Sequence, residues 1–180
     1  MSQAKVFVIS DTHFGHRNII KFEEEKRRLP SGEPFRSIEE HDRYLVEQWN
    51  SVVREKDTVW HLGDVYFGKG ADILGALKGY KRLVLGNHDA KKEEFLIQYF
   101  DRIYGVAEFG DCILSHIPVH PYQLERRYAK NIHGHMHSKR VQKSVGNGAW
   151  EDDPRYVCVS VEQTDLKPVL LQTVIQQGLH

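Results

Sequence analysis

Five short clusters of oxygen and nitrogen donors punctuate the chain: Asp11-Thr12-His13, Gly63-Asp64, Gly86-Asn87-His88-Asp89, Ser115-His116 and Gly134-His135-Met136-His137. Carboxylate, amide and imidazole are the donors a hard or borderline divalent metal takes, and no cysteine stands among them. Spacing sharpens the reading. Residues two apart in extended backbone face the same side, so Asp11 with His13, and His135 with His137, can address one ion or two adjacent ones. Gly63, Gly86 and Gly134 immediately precede candidate donors, where a missing Cβ lets backbone turn sharply and approach an ion closely.

Such clusters need elements to position them. Val6–Ile9 is a short apolar run that reads as a buried strand leading into the first cluster. Strands over Asp57–Leu62 and Arg82–Leu85 lead into the second and third. Residues 14–36 are loop-like, with one charged helical turn around Ile19–Arg28. Ser37-Ile38-Glu39-Glu40 matches the S-x-x-E capping box, and Leu45, Trp49, Val52 and Val53 follow at helical spacing, which predicts a helix over about 38–54. A short helix is expected over Ile73–Leu77, stopped by Gly79, and another over Lys91–Phe100. This βαβ rhythm points to a sheet with helices packed on it. Ligands in such sheets collect outside the carboxyl ends of the strands, where the clusters lie.

Beyond Ile103 the pattern changes. Ile103–Phe109, Asp111–Ser115, Asn131–His133, Arg140–Val145, Tyr156–Val161 and Val169–Ile175 read as strands with little helix between them, which predicts a second, largely antiparallel sheet. No repeat, low-complexity tract or linker divides the 180 residues, so one domain is expected over 1–180.

Lys plus Arg total 25, as do Asp plus Glu, for a formal net charge of +0. A protein that grips long nucleic acid usually carries a basic excess; Lys26-Arg27-Arg28 and Arg126-Arg127 are modest clusters, so a small substrate is expected and long nucleic acid is not. The two cysteines, Cys112 and Cys158, lie in apolar runs and read as buried free thiols of a reducing compartment. Met1-Ser2-Gln3-Ala4-Lys5 leads straight into a strand with no signal-peptide pattern, and no apolar stretch reaches membrane-spanning length. No membrane association and a cytoplasmic location are the expectation.

Taken in order, D-x-H, G-D, G-N-H-D, H and G-H-x-H over residues 5 to 137 resemble the calcineurin-like metallophosphoesterase superfamily. The resemblance implies an α/β fold with two mixed β-sheets packed as a sandwich and flanked by helices. It also implies a binuclear centre of divalent metal ions, in which Asp11, His13 and His137 hold the first metal and Asn87, His116 and His135 the second, with Asp64 bridging. Two metals of this kind lower the pKa of a bridging water and stabilise the charge of in-line displacement at phosphorus. On donor type the ions can be Mn, Fe or Zn, and the resemblance favours Mn. His88 then faces the substrate as the catalytic group that protonates the leaving group, and Asp89 is placed to orient a neighbouring imidazole.

The remaining candidates weigh less. His41, His120 and His180 read as surface or satisfied core residues, and His61 as packing; His16 and His133, each near a motif pair, are candidates for supporting or substrate roles. Arg17, which can fork phosphate oxygens, Asn18, and Tyr66, which with Phe67 can stack a base or aryl group, are candidate substrate-binding residues. An open site and neutral charge favour a phosphodiesterase on small nucleotide-like or aryl diesters. The alternatives are a phosphomonoesterase of the same fold, which would want an extra Arg or Lys, and a non-catalytic metal-binding scaffold, which would be expected to lack His88 or some ligands.

Overall fold

Alternating burial along neighbouring strands sets the layering in the computed structural model, which describes residues 3–179. Strands β1 (Val6–Ile9), β2 (Thr58–His61), β3 (Tyr80–Val84) and β4 (Arg102–Tyr104) pair in parallel, Phe7 opposite Val59 and Val59 opposite Lys81. Phe7, Ile9, Val59 and Leu83 face one side, where they join Leu45, Trp49, Leu74, Leu96 and Phe100. Val8, Trp60 and Val84 face the other, against Leu114, Ile132, Val157 and Val159 of a second sheet. A period of two thus sends each strand's side chains into two different cores.

Helix α2 (Ile38–Val52) covers the outer face of the first sheet. Its start is capped as the sequence predicts: Ser37 Oγ accepts the Glu40 amide at 3.2 Å, while Glu40 Oε2 takes the Arg36 amide at 2.6 Å, one residue earlier than a reciprocal box requires. Leu45 and Trp49 are buried one turn apart, each contributing about 1.5–3 kcal/mol of burial. The Trp49 indole donates to the Lys78 carbonyl, which ties the helix to the loop before β3. Around it lie α1 (Ile19–Phe22), a 3₁₀ helix over Gly68–Ala76 in place of the short helix expected at Ile73–Leu77, and α3 (Glu93–Leu96), which is shorter than the expected 91–100.

The second sheet corrects the sequence reading. Ile103–Phe109 is not one strand; it divides between β4 of the first sheet and β5 (Ala107–Phe109) of the second. β5 runs antiparallel to β6 (Cys112–Ser115), but β6, β7 (Lys130–His133) and β10 (Tyr156–Cys158) are parallel. Parallel neighbours need long connections, and the chain supplies them. Helix α4 (Tyr122–Arg126) links β6 to β7, and an exposed hairpin, β8 (Gln142–Gly146) with β9 (Ala149–Asp152), links β7 to β10. A five-residue helix leaves almost no periodic signal, so the crossover is invisible in the sequence. The last expected strand, Val169–Ile175, contributes only β11 (Val169–Leu170), antiparallel to β1; from Leu171 the chain is helix α5 (Leu171–Gln177), with Leu171 and Val174 in the core between the sheets. The result is a mixed α/β fold of two mixed sheets with flanking helices.

Candidate metal centre

The carboxyl ends of β1, β2, β3, β6 and β7 meet where the two sheets join. β1 bridges to the second sheet through Ser10 and Ser160, and the Asp11 and His13 amides donate to the Gly63 and Asp64 carbonyls at 3.0 and 3.1 Å. These ends turn abruptly: Asp11, His13, Asp64, His135 and His137 all hold φ between 50° and 69°, a left-handed conformation uncommon outside glycine and often found at functional sites. The glycines allow the closeness. A Cβ on Gly134 would lie 2.5 Å from Asp11 Oδ2 and would also strike Ser10.

Side chains converge in two groups. Asp11, His13 and His137 form one set of donor atoms, and Asp11, Asp64 and His116 another, each within 4.8 Å. Asp64 Oδ2 lies 3.6 Å from His13 Nε2 and 3.5 Å from His116 Nε2, between the groups. His116 Nε2 lies 2.8 Å from Asn87 Oδ1, and the His135 ring packs at 5.1 Å against that of His116. Six of the expected ligands and Asp64 are therefore together.

Lone pairs point inward without partners. His116 Nδ1–H donates to the Leu62 carbonyl at 2.8 Å, which leaves Nε2 an acceptor facing the Asn87 oxygen, a contact that a cation or a half-turn of the amide resolves. His137 Nδ1–H donates to Glu162 at 3.0 Å, freeing its Nε2 toward Asp11. Asp11 Oδ2 accepts from the His135 amide and the Ser160 hydroxyl, while Oδ1 is buried with no hydrogen-bond partner, as are both ring nitrogens of His13. Buried polar atoms of this kind are costly unless satisfied; a divalent cation satisfies the Asp11 oxygen and the unprotonated nitrogen of His13 together. Burial alone would raise the Asp11 carboxyl, but the surrounding imidazoles, His13 first, hold it well below the usual range. Burial also pushes His13 and His135 down, so both favour the neutral, ligating form.

A calcineurin-like phosphoesterase superfamily domain model matches residues 4–159. The chain belongs to the calcineurin-like phosphoesterase superfamily. An uncharacterized protein of Methanocaldococcus jannaschii is 33% identical, covering 98% of this chain and 92% of that one. The gene 66 protein of Mycobacterium phage L5 is 32% identical, covering 78% of this chain and 85% of its own length. The crystal structure of a protein of unknown function from Aquifex aeolicus shares the fold at a TM-score of 0.69 and 27% identity, covering 97% of this chain and 99% of that one. As a superfamily member the protein is a metal-dependent phosphoester hydrolase, and the family implies divalent metal ions. Among the described residues no helix is long and apolar enough to cross a membrane.

Within this calcineurin-like site, the residues around the ligand candidates separate by position. His88 is 51% exposed, its Nε2 is 4.0 Å from Asp64 Oδ2, and its amide donates to Asp64 Oδ1. Asp89 orients no imidazole; its two oxygens accept the amides of Asp64, Val65 and Gly86 and so brace the turn that carries Asp64. Arg17 lines a groove of about 920 Å³ between α2 and the 3₁₀ helix, and Asn18 sits exposed at the start of α1. Tyr66 is buried against the Phe95 ring at 5.5 Å, under the Lys92 ammonium at 4.7 Å. The structure does not bring these three to the ligand cluster. His61, as expected, packs: it accepts the Gly63 amide and reaches Thr12. His133 is buried beside the Gly134 carbonyl, and His16 stacks on Phe67. His180 lies outside the described residues.

Sequence reading missed the pair behind the site. Arg27, fully buried, donates to Glu162 at 2.6–2.7 Å and to the carbonyls of Asp11 and Thr12, while Glu162 accepts from His137. It thereby ties the first cluster to the last. Arg27 Nη1 also meets His41 Nε2 at 3.1 Å; an arginine only donates, so the His41 proton is on Nδ1, facing Asp42. In sequence, Arg27 is indistinguishable from its exposed basic neighbours.

Proposed function

We propose that this protein is a phosphodiesterase acting on small nucleotide-like or aryl diesters through a binuclear centre, with Mn the favoured ion. The observation that carries this reading is the position of Asp64, whose carboxylate lies 3.5–3.6 Å from one imidazole of each donor group. Two close dications need such an anionic bridge. Asp11, His13 and His137 would hold one ion and Asn87, His116 and His135 the other; when bound, the pair activates water and neutralises phosphoryl oxygens.

The chain's own groups do the rest. Glu162 and the Leu62 carbonyl fix His137 and His116 in the tautomer whose Nε2 points inward. His88, open to solvent at the edge of the cluster, holds a proton for the departing oxygen. Few cations approach the cluster: Arg27 is buried behind the first turn, and Lys92 Nζ donates to the Tyr66 carbonyl at 2.7 Å beside the Phe67 ring. A monoanionic diester suits that electrostatic setting better than a dianionic monoester. The 180 residues are read as one catalytic domain, since β11 and α5 pack back onto β1 and the core between the sheets. Two buried free thiols suit a reducing cytoplasm.

The test is metal-stripped protein reconstituted with Mn, Fe or Zn and assayed on bis(p-nitrophenyl) phosphate, p-nitrophenyl phosphate and single-stranded DNA. Mn-dependent turnover of the diester well above the others is expected. Faster monoester hydrolysis would make it a phosphatase, DNA cleavage a nuclease, and metal binding without turnover a scaffold.

A further inference from the structure

A series of aromatic rings leads outward from the candidate ligands. His13 stacks on Phe67 with centroids 5.3 Å apart, and Phe67 stacks on His16 at 4.4 Å. His88 leans on the same Phe67 ring at 5.1 Å, and Phe22 meets His16 edge-on at 6.2 Å. His13 is buried and His16 and Phe67 are half-buried, but Phe22 is 71% exposed. Single exposed apolar side chains are ordinary; this one ends a continuous run of rings that begins at a metal-ligand candidate. Exposed Tyr80 and Trp150 have no such relation, lying at the opposite end of β3 and on the β8–β9 hairpin. Lys92 Nζ sits 4.6 Å over the Phe67 ring, so the open end of the run is at His16 and Phe22.

We propose that Phe22 and His16, backed by Phe67, form a stacking shelf for a planar aromatic group, a nucleobase or aryl ring, carried by the diester whose phosphate occupies the metal cluster. The proposal rests on the phosphodiesterase reading above. Every base has a π-face, so a shelf built from rings alone accepts purines and pyrimidines with little preference and discriminates against sugar or alkyl phosphates.

Two diesters with one leaving group test it on Mn-loaded protein: thymidine 5′-(p-nitrophenyl phosphate) and methyl p-nitrophenyl phosphate. The wild type should prefer the nucleoside diester, and Phe22→Ala should shrink the ratio of the two kcat/KM values about tenfold, mostly through KM, while Phe22→Trp restores it. Tyr80→Ala should leave the ratio alone. A ratio unmoved by Phe22→Ala overturns the shelf and leaves the phosphodiesterase reading standing. If neither diester is cleaved, that reading fails, and calorimetry decides the shelf: adenosine 5′-monophosphate should bind the Mn-loaded protein about tenfold more tightly than ribose 5-phosphate, and Phe22→Ala should erase the difference. Equal affinities in the wild type overturn the proposal.

Discussion

His88 differs from every other histidine of the cluster in being half open to solvent while still reaching Asp64. A group in that position handles a proton without being needed to hold an ion. His88→Ala should keep its metal content and lose about 100-fold or more in turnover of an alkyl-leaving diester, the scale of a lost general acid. The loss should be much smaller with p-nitrophenolate, which leaves without a proton. Metal analysis and a leaving-group series check this together, and wild-type rates on the alkyl ester would remove the role. Most ligand candidates were readable in the sequence as local patterns, two donors two residues apart or one after a glycine; His116, after Ser115, shows only as a donor at the end of an apolar strand-like run. Arg17, Asn18 and Tyr66 were chosen on type and proximity along the chain, and neither says which way a side chain points.

At the scale of elements, the Arg27–Glu162 pair joins a loop after α1 to the 3₁₀ turn after β10 across the whole cluster. Glu162→Ala leaves a buried guanidinium with backbone carbonyls but no counter-charge and should cost about 3–5 kcal/mol of stability. Glu162→Gln keeps an acceptor for His137 and should fold, but bind metal about tenfold more weakly. Urea unfolding in chelator and metal competition separate the effects; wild-type metal affinity in Glu162→Gln would show that the pair only braces the fold. Long-range pairs of this sort, 135 residues apart, leave no periodicity to read, and the same is true of the crossovers that make β6, β7 and β10 parallel. Strand identity is local, whereas strand direction depends on what the intervening chain does.

The turn that carries Asp64 also depends on a neutral imidazole. His61 Nδ1 accepts the Gly63 amide, so its proton is on Nε2 toward Thr12 Oγ1, whose hydroxyl donates to the Val65 carbonyl. Burial pushes both His61 and His133 down to about 4. An unfolded imidazole takes its proton near pH 6.5, so between about 6.5 and 4 the unfolded chain binds more protons and stability falls as pH falls. From pH 6.5 to 5 each of the two should cost about 2 kcal/mol. Burial moves the Asp42 carboxyl the other way, up to about 7, so the check is the difference in urea midpoint between metal-free wild type and His133→Asn at pH 7 and at pH 5. A difference that does not change with pH would mean that imidazole is not held neutral.

Across the whole molecule, the donors come from β-strand ends between residues 11 and 137 and from both sheets. Five of them sit in left-handed backbone, at about 1–3 kcal/mol each, held there by hydrogen bonds that cross between β1 and β2 and between the sheets. An ion bound by these groups exists only on the folded chain, so it must stabilise the fold by mass action: about 2.7 kcal/mol at a hundredfold excess over Kd. For a chain of 180 residues that is a rise in Tm of roughly 5–10 °C, reversed by chelator. Asp64→Asn isolates the cause. Asparagine tolerates positive φ as aspartate does, and its side-chain oxygen can still accept the His88 amide, so the variant should fold with a near-normal metal-free Tm. Without the anionic bridge it should lose most of the Mn-dependent rise. A full rise in Asp64→Asn would mean the ions, if two bind at all, are held independently of each other.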